Sequence, residues 1–464
     1  MKSSYYRGSV VSMTSIANPK GTGILIIGDL LAFIFSLIAT LAIRYWQIPS
    51  HTLLASHVPA FAILFIVFIL INFSAGLYDK QVAIIRNRSQ GLFIRAQIVN
   101  AIIGIIFFYL MPVTIAPKAN LFIFFIISTA LLLLWRIVMF PVVSATRKQN
   151  AILVGSGADV DDLREEIEGN IRYGLAFKES IQPHSSVTET VKAISEAVSR
   201  TQSNVIVADL HDPAIESAMP FLYSLVFSGM QIIDASKLYE LIFDRIPLSM
   251  VGERWLVENS SSALGNRRLY DGLKRIIDVI VSFIGGVISL VFYPFVYVAI
   301  KLEDRGRIFI IQERTGKNGK PVKIIKFRSM SGNDHGKYGA TGTTKNVVTR
   351  VGKFLRVSRI DEIPQFWNVF RGDLSLVGPR PELPPLVDIY EKEILYYNAR
   401  HLVKPGLFGW AQIYHEAHPH HAVATEDTRD KLSYDLYYIK NRSLALDLKI
   451  ILRTLQILLK RAGR

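Results

Sequence analysis

Long apolar runs dominate the first third of the chain, and short polar stretches separate them. Four runs each cover about twenty residues or more: 22–46, 58–77, 92–113 and 121–143. As α-helices with a rise of about 1.5 Å per residue, each can cross a hydrocarbon core of about 30 Å. The pattern therefore predicts a four-span helical membrane bundle over residues 21–148.

The polar connections set the orientation of this bundle. Residues 1–20 contain neither an apolar run nor a small-residue cleavage site, so we expect a retained cytoplasmic tail. The connection 47–57 has no Lys or Arg, and 116–120 has a single Lys. Basic residues instead follow the second and fourth spans, at Lys80, Arg86, Arg88, Arg147 and Lys148. By the positive-inside rule, both ends of the bundle are cytoplasmic.

Three charged residues fall in or near the spans: Asp29, Arg95 and Arg136. An ionisable residue inside a membrane is a functional candidate by default. Both arginines lie toward the predicted cytoplasmic ends, however, where a long side chain can extend to the headgroups. We expect them to do so.

Composition agrees with a membrane location. Half of the 464 residues are hydrophobic and the formal net charge is +15. A basic surplus favours anionic lipid headgroups or phosphorylated substrates. The long apolar runs argue against nucleic acid as the partner. The chain has no cysteine, which excludes disulfides and thiolate metal sites.

Residues 149–263 have the pattern of a small α/β domain. A short apolar strand at 151–154 leads into Gly155-Ser156-Gly157, and a helical pattern follows to about residue 168. Further apolar strands at 204–208 and 230–233 predict a small Rossmann-like parallel sheet. Val160 stands where a nucleotide-binding turn needs its third glycine. We therefore expect a degenerate domain whose task is scaffolding or contact within a homodimer.

A fifth apolar run covers 276–300, inside a third region at 264–464. Basic residues flank it on both sides: Arg267, Arg268, Lys274, Arg275, Lys301, Arg305 and Arg307. Such flanks place both ends in the cytoplasm. Pro294 removes a helical hydrogen bond and can bend the helix sharply. The segment is therefore predicted to be a re-entrant helix that enters one leaflet, breaks near Pro294 and returns.

Basic and acidic residues with phosphate-binding chemistry follow this helix. Lys326 and Arg328 alternate with apolar neighbours, as on one face of a strand, and a solvated strand face is the simpler interpretation. Residues 331–346 are rich in Gly, Ser and Thr, which predicts a mobile loop or a disordered connection. Arg356 then precedes the adjacent acids Asp361 and Glu362. Taken alone, an acidic pair near a helix start only complements the helix dipole.

The wider pattern around the pair is far more specific. Residues 361–381 read Asp-Glu-x-Pro-Gln-x-x-Asn-Val-x-x-Gly-Asp-x-Ser-x-Val-Gly-Pro-Arg-Pro, and 404–412 read Lys-Pro-Gly-Leu-Phe-Gly-Trp-Ala-Gln. Together with the upstream Lys-Arg-Ile-Ile-Asp, Gln-Glu-Arg-Thr-Gly and Lys-Phe-Arg-Ser-Met segments, this resembles the bacterial sugar transferase family of monotopic phosphoglycosyl transferases. The resemblance covers about residues 265–464. Lys404 replaces the usual Arg, which keeps the charge but loses a bidentate contact.

The resemblance implies transfer of a hexose-1-phosphate from a UDP-sugar to undecaprenyl phosphate, with release of UMP. Asp361 would be the nucleophile, and Asp361 and Glu362 would bind Mg²⁺, with Mn²⁺ as the alternative ion. Arg356, Arg380, Lys326 and Arg328 would bind phosphate. The nucleotide-sugar turn would comprise Gly378, Pro379, Pro381 and Lys404. The catalytic domain would face the cytoplasm, at the inner membrane of a bacterium.

Other interpretations stay open at this point. A non-catalytic membrane scaffold for glycan assembly is the main alternative, although it would not need to keep the acid pair and both arginines. An integral carrier is a weaker one. The histidines at 415, 418, 420 and 421 could suggest a metal cluster, but we expect a surface loop. Residues 435–464 combine apolar residues at helical spacing with basic ones, which predicts an interfacial amphipathic helix or a packed core helix.

Overall fold

The computed structural model describes residues 19–78, 87–110, 117–140, 148–170, 173–184, 186–252, 267–332, 346–414 and 425–462. The chain divides into two compact units, the first ending at Phe243 and the second starting at Asp244. This division precedes the predicted boundary at 263, because Ile246 and Val251 belong to the hydrophobic core of the second unit. The predicted tail lies almost wholly outside the described residues.

The first unit begins with the predicted apolar helices. Their bounds are α1 Pro19–Tyr45, α2 His51–Ser74, α3 Asn87–Leu110 and α4 Pro117–Leu134, the last continued by a π-helical turn at Trp135–Met139. Among the described residues, four segments are long and apolar enough to span a membrane. The second starts at His51 rather than at 58, since Ser50 caps the helix by accepting a hydrogen bond from the backbone N–H of Leu53. The connections that carry Lys80, Arg86 and Arg147 lie outside the described residues.

Aromatic side chains form much of the bundle core. Phe33 of α1, Phe65 and Phe68 of α2, and Phe124 of α4 are buried and meet at ring-centroid distances of 5.6–6.4 Å. Rings at these separations attract one another beyond the effect of burial alone. The apolar runs that identify the spans therefore also supply the contacts between them.

Arg136 corrects a sequence-based expectation. Its side chain is fully buried and forms an ion pair with Asp29 instead of extending to the headgroups. Its Nη1 also donates to the Leu77 carbonyl at 3.1 Å, and Tyr78 donates its hydroxyl to Asp29 Oδ2 at 2.8 Å. The π-helical turn that carries Arg136 aims the guanidinium into the bundle. Because the charges offset one another, this pair can remain in an apolar interior.

A four-stranded parallel sheet follows in the same unit, in the order β2-β1-β3-β4. Its elements are β1 Gln149–Val154, α5 Ala158–Gly169, β2 Leu175–Ile181, α6 Val187–Thr201, β3 Val205–Ala208, α7 Pro213–Ser217, α8 Met219–Phe227, β4 Gln231–Asp234 and α9 Ala235–Phe243. The predicted strands and first helix are confirmed within two residues. Strand β2 escaped prediction because its central residues are Lys, Glu and Ser and are not fully buried.

The turn after β1 has the geometry its glycines suggested. Gly157 has a φ of +101°, which favours glycine. Val160 is buried, and its Cγ2 lies 3.1 Å from where a Cβ on Gly155 would stand. The valine that replaces a third glycine thus fills the space beside the turn.

The second unit is a mixed α/β structure. Its first part comprises α10 Arg268–Ser289, α11 Phe292–Glu303, β5 Phe309–Thr315, β6 Pro321–Phe327, β7 Met330–Ser331, β8 Val347–Val348 and α12 Arg350–Val357. Its second part comprises α13 Gln365–Arg371, β9 Ser375–Val377, α14 Pro384–Glu393, β10 Gly406–Phe408, α15 Trp410–Tyr414, α16 Thr425–Asn441 and α17 Leu444–Ala462. Strands β5 and β6 form an antiparallel hairpin, and β9 pairs in parallel with β10.

Helices α10 and α11 form a pair bent by 51°. The break lies at Leu290 and Val291, and Pro294 is the third residue of α11. An N–H at position 294 would bond to the carbonyl of Leu290, so the proline removes the hydrogen bond that would carry the helix across the break.

One face of α10 packs against the protein, and the other is apolar and exposed. The inner face consists of small or polar residues, Asp278, Ser282, Gly286 and Ser289. A Cβ on Gly285 would lie 3.0 Å from the Phe366 ring of α13, so the glycine permits close packing. Asp278 accepts hydrogen bonds from the Ser375 hydroxyl at 2.7 Å and the Leu376 N–H at 3.2 Å, which fixes α10 to β9.

The predicted C-terminal amphipathic segment forms parts of two helices. In α16, Leu436, Tyr438 and Ile439 are buried in the core. In α17, Ile450 is buried while Leu448 and Leu455 are about half exposed. The segment thus has both a packed face and an exposed apolar face.

We expect the buried ion pair of the bundle to stabilise the protein only while both partners are present. Arg136→Gln should destabilise the protein by about 3–5 kcal/mol, because the Asp29 carboxylate would stay buried without its partner. The double variant Asp29→Asn, Arg136→Gln should lose less, since no net charge is left inside. Thermal unfolding in detergent measures both effects. Arg95→Gln, at an exposed position of α3, is the control. Equal losses in the single and double variants would contradict the prediction.

Candidate active site

The adjacent acids Asp361 and Glu362 lie in one 3₁₀ turn, Ile360–Glu362, between α12 and α13. Arg359 enters this turn with a φ of +58°, a left-handed conformation that residues other than glycine seldom adopt. This conformation separates α12 from the 3₁₀ turn that carries the acids. Both acids end up buried, each about 8% exposed. Pro364 follows as the N-cap of α13.

Glu362 is surrounded by three cationic side chains. Its Oε1 lies 2.5 Å from Arg380 Nη2 and 3.7 Å from Lys326 Nζ, and its Oε2 lies 3.3 Å from Arg359 Nη1. Burial on its own would raise the pKa of Glu362, but the charges of Arg380, Lys326 and Arg359 hold the pKa well below its ordinary range. Glu362 is therefore ionised at neutral pH and pairs with all three cations.

Asp361 has a different environment from its neighbour. Burial, followed by the adjacent Glu362 charge, raises the pKa of Asp361 to about 6, against the opposing effects of Lys326, Arg380 and Arg356. Its buried Oδ1 has no hydrogen-bond partner among the described residues. A buried acceptor without a donor is costly. Asp361 therefore has an oxygen that can bind a cation or attack an electrophile.

Lys326 and Arg356 reach the acids from separate elements. Lys326 lies near the end of β6, and burial lowers its pKa to about 8 although Glu362 opposes this effect. Arg356 lies in the last turn of α12 and donates from Nε to the Ser329 hydroxyl at 2.9 Å. The charge of Arg356 acts on Asp361 and lowers the pKa of that carboxyl. Both residues were predicted to bind phosphate, and the structure brings both to the acid pair.

Arg380 comes from the turn that follows β9. A Cβ on Gly378 would lie 2.5 Å from the Lys404 carbonyl, so only glycine allows the two backbones to approach so closely. The Gly378 N–H donates to the Phe408 carbonyl, and the Gly406 N–H donates to the Pro379 carbonyl, both at 2.9 Å. The turn of Gly378, Pro379 and Pro381 is thus fixed to β10 and directs Arg380 at Glu362.

Two further residues predicted for the site, Arg328 of the phosphate set and Lys404 of the nucleotide-sugar turn, have side chains with other neighbours. Arg328 follows β6 and pairs with Asp304 at 3.0 Å, and its Nε donates to the Met330 carbonyl at 2.9 Å. The side chain of Lys404 is exposed and has Arg275 as its neighbouring cation. Alternation placed Arg328 on a strand face, but β6 ends at Phe327, one residue before it.

Arg359 belongs to the site but was not identified from the sequence. It stands two residues before Asp361, and a left-handed arginine has no simple sequence signal.

The four C-terminal histidines and most of the 331–346 loop lie outside the described residues. Among the described residues, no group of three or more His, Asp or Glu side chains could hold a metal ion.

The arrangement suits phosphate chemistry. Four cationic side chains, Lys326, Arg356, Arg359 and Arg380, bring more positive charge to the acid pair than its two carboxylates offset. Mg²⁺ commonly binds to one or two carboxylates and completes its coordination with water and substrate phosphate. The open Oδ1 of Asp361 fits that requirement. The oxygens of Glu362 already meet cations, which makes Asp361 the better placed ligand.

The contrasting pKa shifts predict opposite effects of neutralising the two acids. At pH 7 without divalent cations, Asp361→Asn should stabilise the protein by about 1–3 kcal/mol, because a raised pKa means that folding disfavours the charged form. This gain should vanish as the pH falls below about 4, where aspartate is protonated in both states.

Glu362→Gln should destabilise the protein at pH 7 by a similar amount, because the lowered pKa means that the charged form favours folding. Its deficit should shrink as the pH falls through the range where unfolded glutamate takes up a proton. Thermal unfolding with EDTA, expressed as variant minus wild type, measures both effects. Changes of the same sign in both variants would contradict the electrostatic assignment.

Comparison with known proteins identifies the family. The family described as bacterial sugar transferase matches residues 269–461. An Aeromonas hydrophila protein named UDP-N-acetylgalactosamine-undecaprenyl-phosphate N-acetylgalactosaminephosphotransferase is 37% identical over 264 residues, which is 56% of this chain and 60% of the relative.

Two relatives are named UDP-glucose:undecaprenyl-phosphate glucose-1-phosphate transferase. The one from Klebsiella pneumoniae is 40% identical over 185 residues, 39% of each chain. The one from Caulobacter vibrioides is 40% identical over 190 residues, 40% of this chain and 69% of the relative. The matched part thus spans less than two thirds of the Aeromonas and Klebsiella proteins but most of the Caulobacter one. On this similarity and the matching family profile, the chain belongs to the bacterial sugar transferase family.

Proposed function

We propose that this protein transfers a hexose-1-phosphate from a UDP-sugar to undecaprenyl phosphate and releases UMP, as the membrane step that begins assembly of a glycan. The observation that supports this most directly is the environment of Asp361, a buried carboxylate with an open oxygen among fixed cations. The names of the relatives support the same reaction class. A non-catalytic scaffold would not need this electrostatic arrangement.

In the first step, an oxygen of Asp361 attacks the phosphorus that bears the sugar. A bond forms between these atoms, and the bond from that phosphorus to the bridging oxygen breaks, so that UMP leaves with the electron pair. The product is a phosphosugar–aspartyl intermediate. Because Asp361 must be ionised to attack, the acid limb of the pH–rate profile should reflect its raised pKa.

In the second step, an oxygen of undecaprenyl phosphate attacks the same phosphorus. The bond to Asp361 breaks, the carboxylate is restored, and the sugar leaves on undecaprenyl diphosphate. Arg380, Lys326 and Arg356 offset the phosphate charges in both steps. Glu362 holds Arg380 and Lys326 in position through the contacts described above, so it acts mainly by organising the cations.

A divalent cation, Mg²⁺ or Mn²⁺, fits Asp361 with Glu362 beside it. When bound, such an ion offsets phosphate charge that would otherwise repel the carboxylate. The sugar is glucose or N-acetylgalactosamine by analogy with the names of the relatives, and a screen of UDP-sugars for UMP release would decide between them.

The bent pair α10–α11 is the proposed access route for the lipid substrate. Both of its ends bond to the same α/β unit: Arg267 Nη2 donates to the Lys440 carbonyl at 3.1 Å, and Glu303 accepts from the Arg350 N–H at 2.6 Å. A helix that crossed the membrane would put its ends on opposite sides. We therefore propose a re-entrant pair and a catalytic domain on the cytoplasmic face of a bacterial inner membrane.

Asp361→Asn should lower turnover by about 10³-fold or more, because the variant keeps the shape of the side chain and loses the nucleophile. Glu362→Gln should impair turnover less. UMP release measures both, with Asp388→Asn, an exposed acid on α14, as the matched control. Near-normal turnover of Asp361→Asn would remove the nucleophile assignment.

A labelling experiment tests the covalent step itself. Brief exposure to UDP-sugar labelled in the sugar, with Mg²⁺ and without lipid, should leave label on the wild-type protein but not on Asp361→Asn. Kinetics should be ping-pong. Ternary kinetics with unlabelled protein would instead indicate direct attack by the lipid phosphate.

The re-entrant geometry predicts the sidedness of cysteine labelling in this cysteine-free chain. Single cysteines at Gly265 and at Lys320, on either side of the bent pair, should react only with reagent on the cytoplasmic side. Ile48→Cys, exposed between α1 and α2, should react only from outside. Pro294→Ala should increase external labelling at Lys320→Cys, because it restores the missing hydrogen bond at the break. External labelling of Lys320→Cys with Pro294 intact would contradict the proposal.

A further inference from the structure

The turn that carries Arg380 is fixed through its carbonyl groups. Pro379 and Pro381 have no N–H, so they cannot donate hydrogen bonds. Instead, four successive carbonyls each accept one from a different donor. The Gly406 N–H donates to Pro379 and the Thr315 N–H to Glu382, both at 2.9 Å. Arginine side chains serve the two carbonyls between them.

One of these arginines is Arg400, whose Nη2 donates to the Arg380 carbonyl at 2.9 Å. Its side chain is about 6% exposed and lies beside the even more deeply buried Asp435 of α16, at an N–O distance of 2.8 Å. Its Nη1 also donates to the Tyr397 hydroxyl at 2.6 Å. A planar guanidinium can meet these groups at once, whereas an ammonium group has a single nitrogen.

The second arginine, Arg314, makes a weaker contact. Its Nη1 lies 3.4 Å from the Pro381 carbonyl, and its Nη2 donates to Gln312 Oε1 at 3.0 Å. Of these two arginines, Arg400 is the one that holds the carbonyl of Arg380, whose guanidinium reaches Glu362. A chain of contacts thus runs from Asp435 through Arg400 and the backbone of Arg380 to Glu362.

We propose that Arg400, held by Asp435 and Tyr397, is a positioning residue for the transfer reaction: it fixes the backbone of Arg380 so that the Arg380 guanidinium meets Glu362 and the substrate phosphate. The inference rests on the proposed function and adds a residue that touches neither substrate nor acid pair. Burying a second ion pair beneath the site is costly in itself. The cost has a purpose if small displacements of Arg380 slow the reaction.

Arg400→Lys tests this role while keeping the charge beside Asp435. UMP release should fall by about 10- to 100-fold, because the lone ammonium cannot serve all three partners. In an Arg380→Ala background the same substitution should cause no further loss, since Arg400 acts through Arg380. A general structural role would give the same relative loss in both backgrounds and would overturn the proposal.

Two further variants separate positioning from folding. Arg245→Lys, at another arginine that pairs with α16, through Asp430 at 2.9 Å, is the matched control and should keep wild-type turnover. The double variant Arg400→Leu, Asp435→Leu leaves no unpaired buried charge, so it should fold yet show the same loss of turnover as Arg400→Lys. Wild-type turnover in this double variant would overturn the proposal.

A readout that needs no catalysis distinguishes this inference from the proposed function. The coupling between Arg380 and Glu362 in thermal unfolding, from a cycle of Arg380→Ala and Glu362→Gln, should shrink when Arg400 is Lys. If wild-type protein releases no UMP but the coupling shrinks, the proposed function fails and the positioning role stands. Unchanged coupling overturns the positioning role, whatever the activity.

Discussion

Two adjacent carboxylates buried in one turn require compensating positive charge, and much of the second unit is arranged to supply it. Asp361 and Glu362 lie next to each other at low exposure, and like charges so close repel strongly in an apolar environment. The fold offsets them with cations from four separate places: the end of β6, the last turn of α12, the left-handed residue before the turn, and the loop after β9. Each of these elements is held where its cation is needed.

The cations compensate the two carboxylates unequally, and this difference gives the two acids different chemical properties. Glu362 takes the direct contacts and has a lowered pKa, while Asp361 has a raised pKa and an oxygen that accepts no hydrogen bond from the part of the chain that the structure describes. Perturbed and contrasting pKa values in one cluster are typical of sites that do chemistry. A purely structural pair would satisfy both carboxylates. Burying the Asp361 carboxylate with too few hydrogen bonds costs free energy, and this cost is consistent with a group that must react.

The cluster is also joined to the apolar helix pair. The acid turn continues directly into α13, whose Phe366 packs against Gly285 of α10. On the other side, Asp278 of α10 binds Ser375 and Leu376 of β9, just before the Arg380 turn. The exposed apolar helix α10 and the charged site therefore share their supporting residues.

Much of this architecture could be read from the sequence. The four spans, three of the four parallel strands and the bent apolar segment followed from hydrophobic periodicity and from proline and glycine, because these are local properties of the chain. The resemblance to the bacterial sugar transferases singled out the acid pair, Arg356, Arg380 and Lys326, and the structure brings these residues together. Arg328 was placed on a strand face but lies one residue beyond β6, since alternation does not show where a strand ends. Strand β2 was missed because its middle is polar.

Other features were decided only by the tertiary structure. Arg136 was expected at the headgroups but pairs with Asp29, 107 positions earlier in the chain. Arg400 and Asp435 carried no local signal either, yet they meet beneath Arg380. In each case a charged side chain is stable in the interior only because folding brings it an opposite charge from a distant segment. The sequence by itself determined which segments are apolar, where proline bends them and which ionisable side chains the chain carries. The fold determined which of those charges are paired with one another.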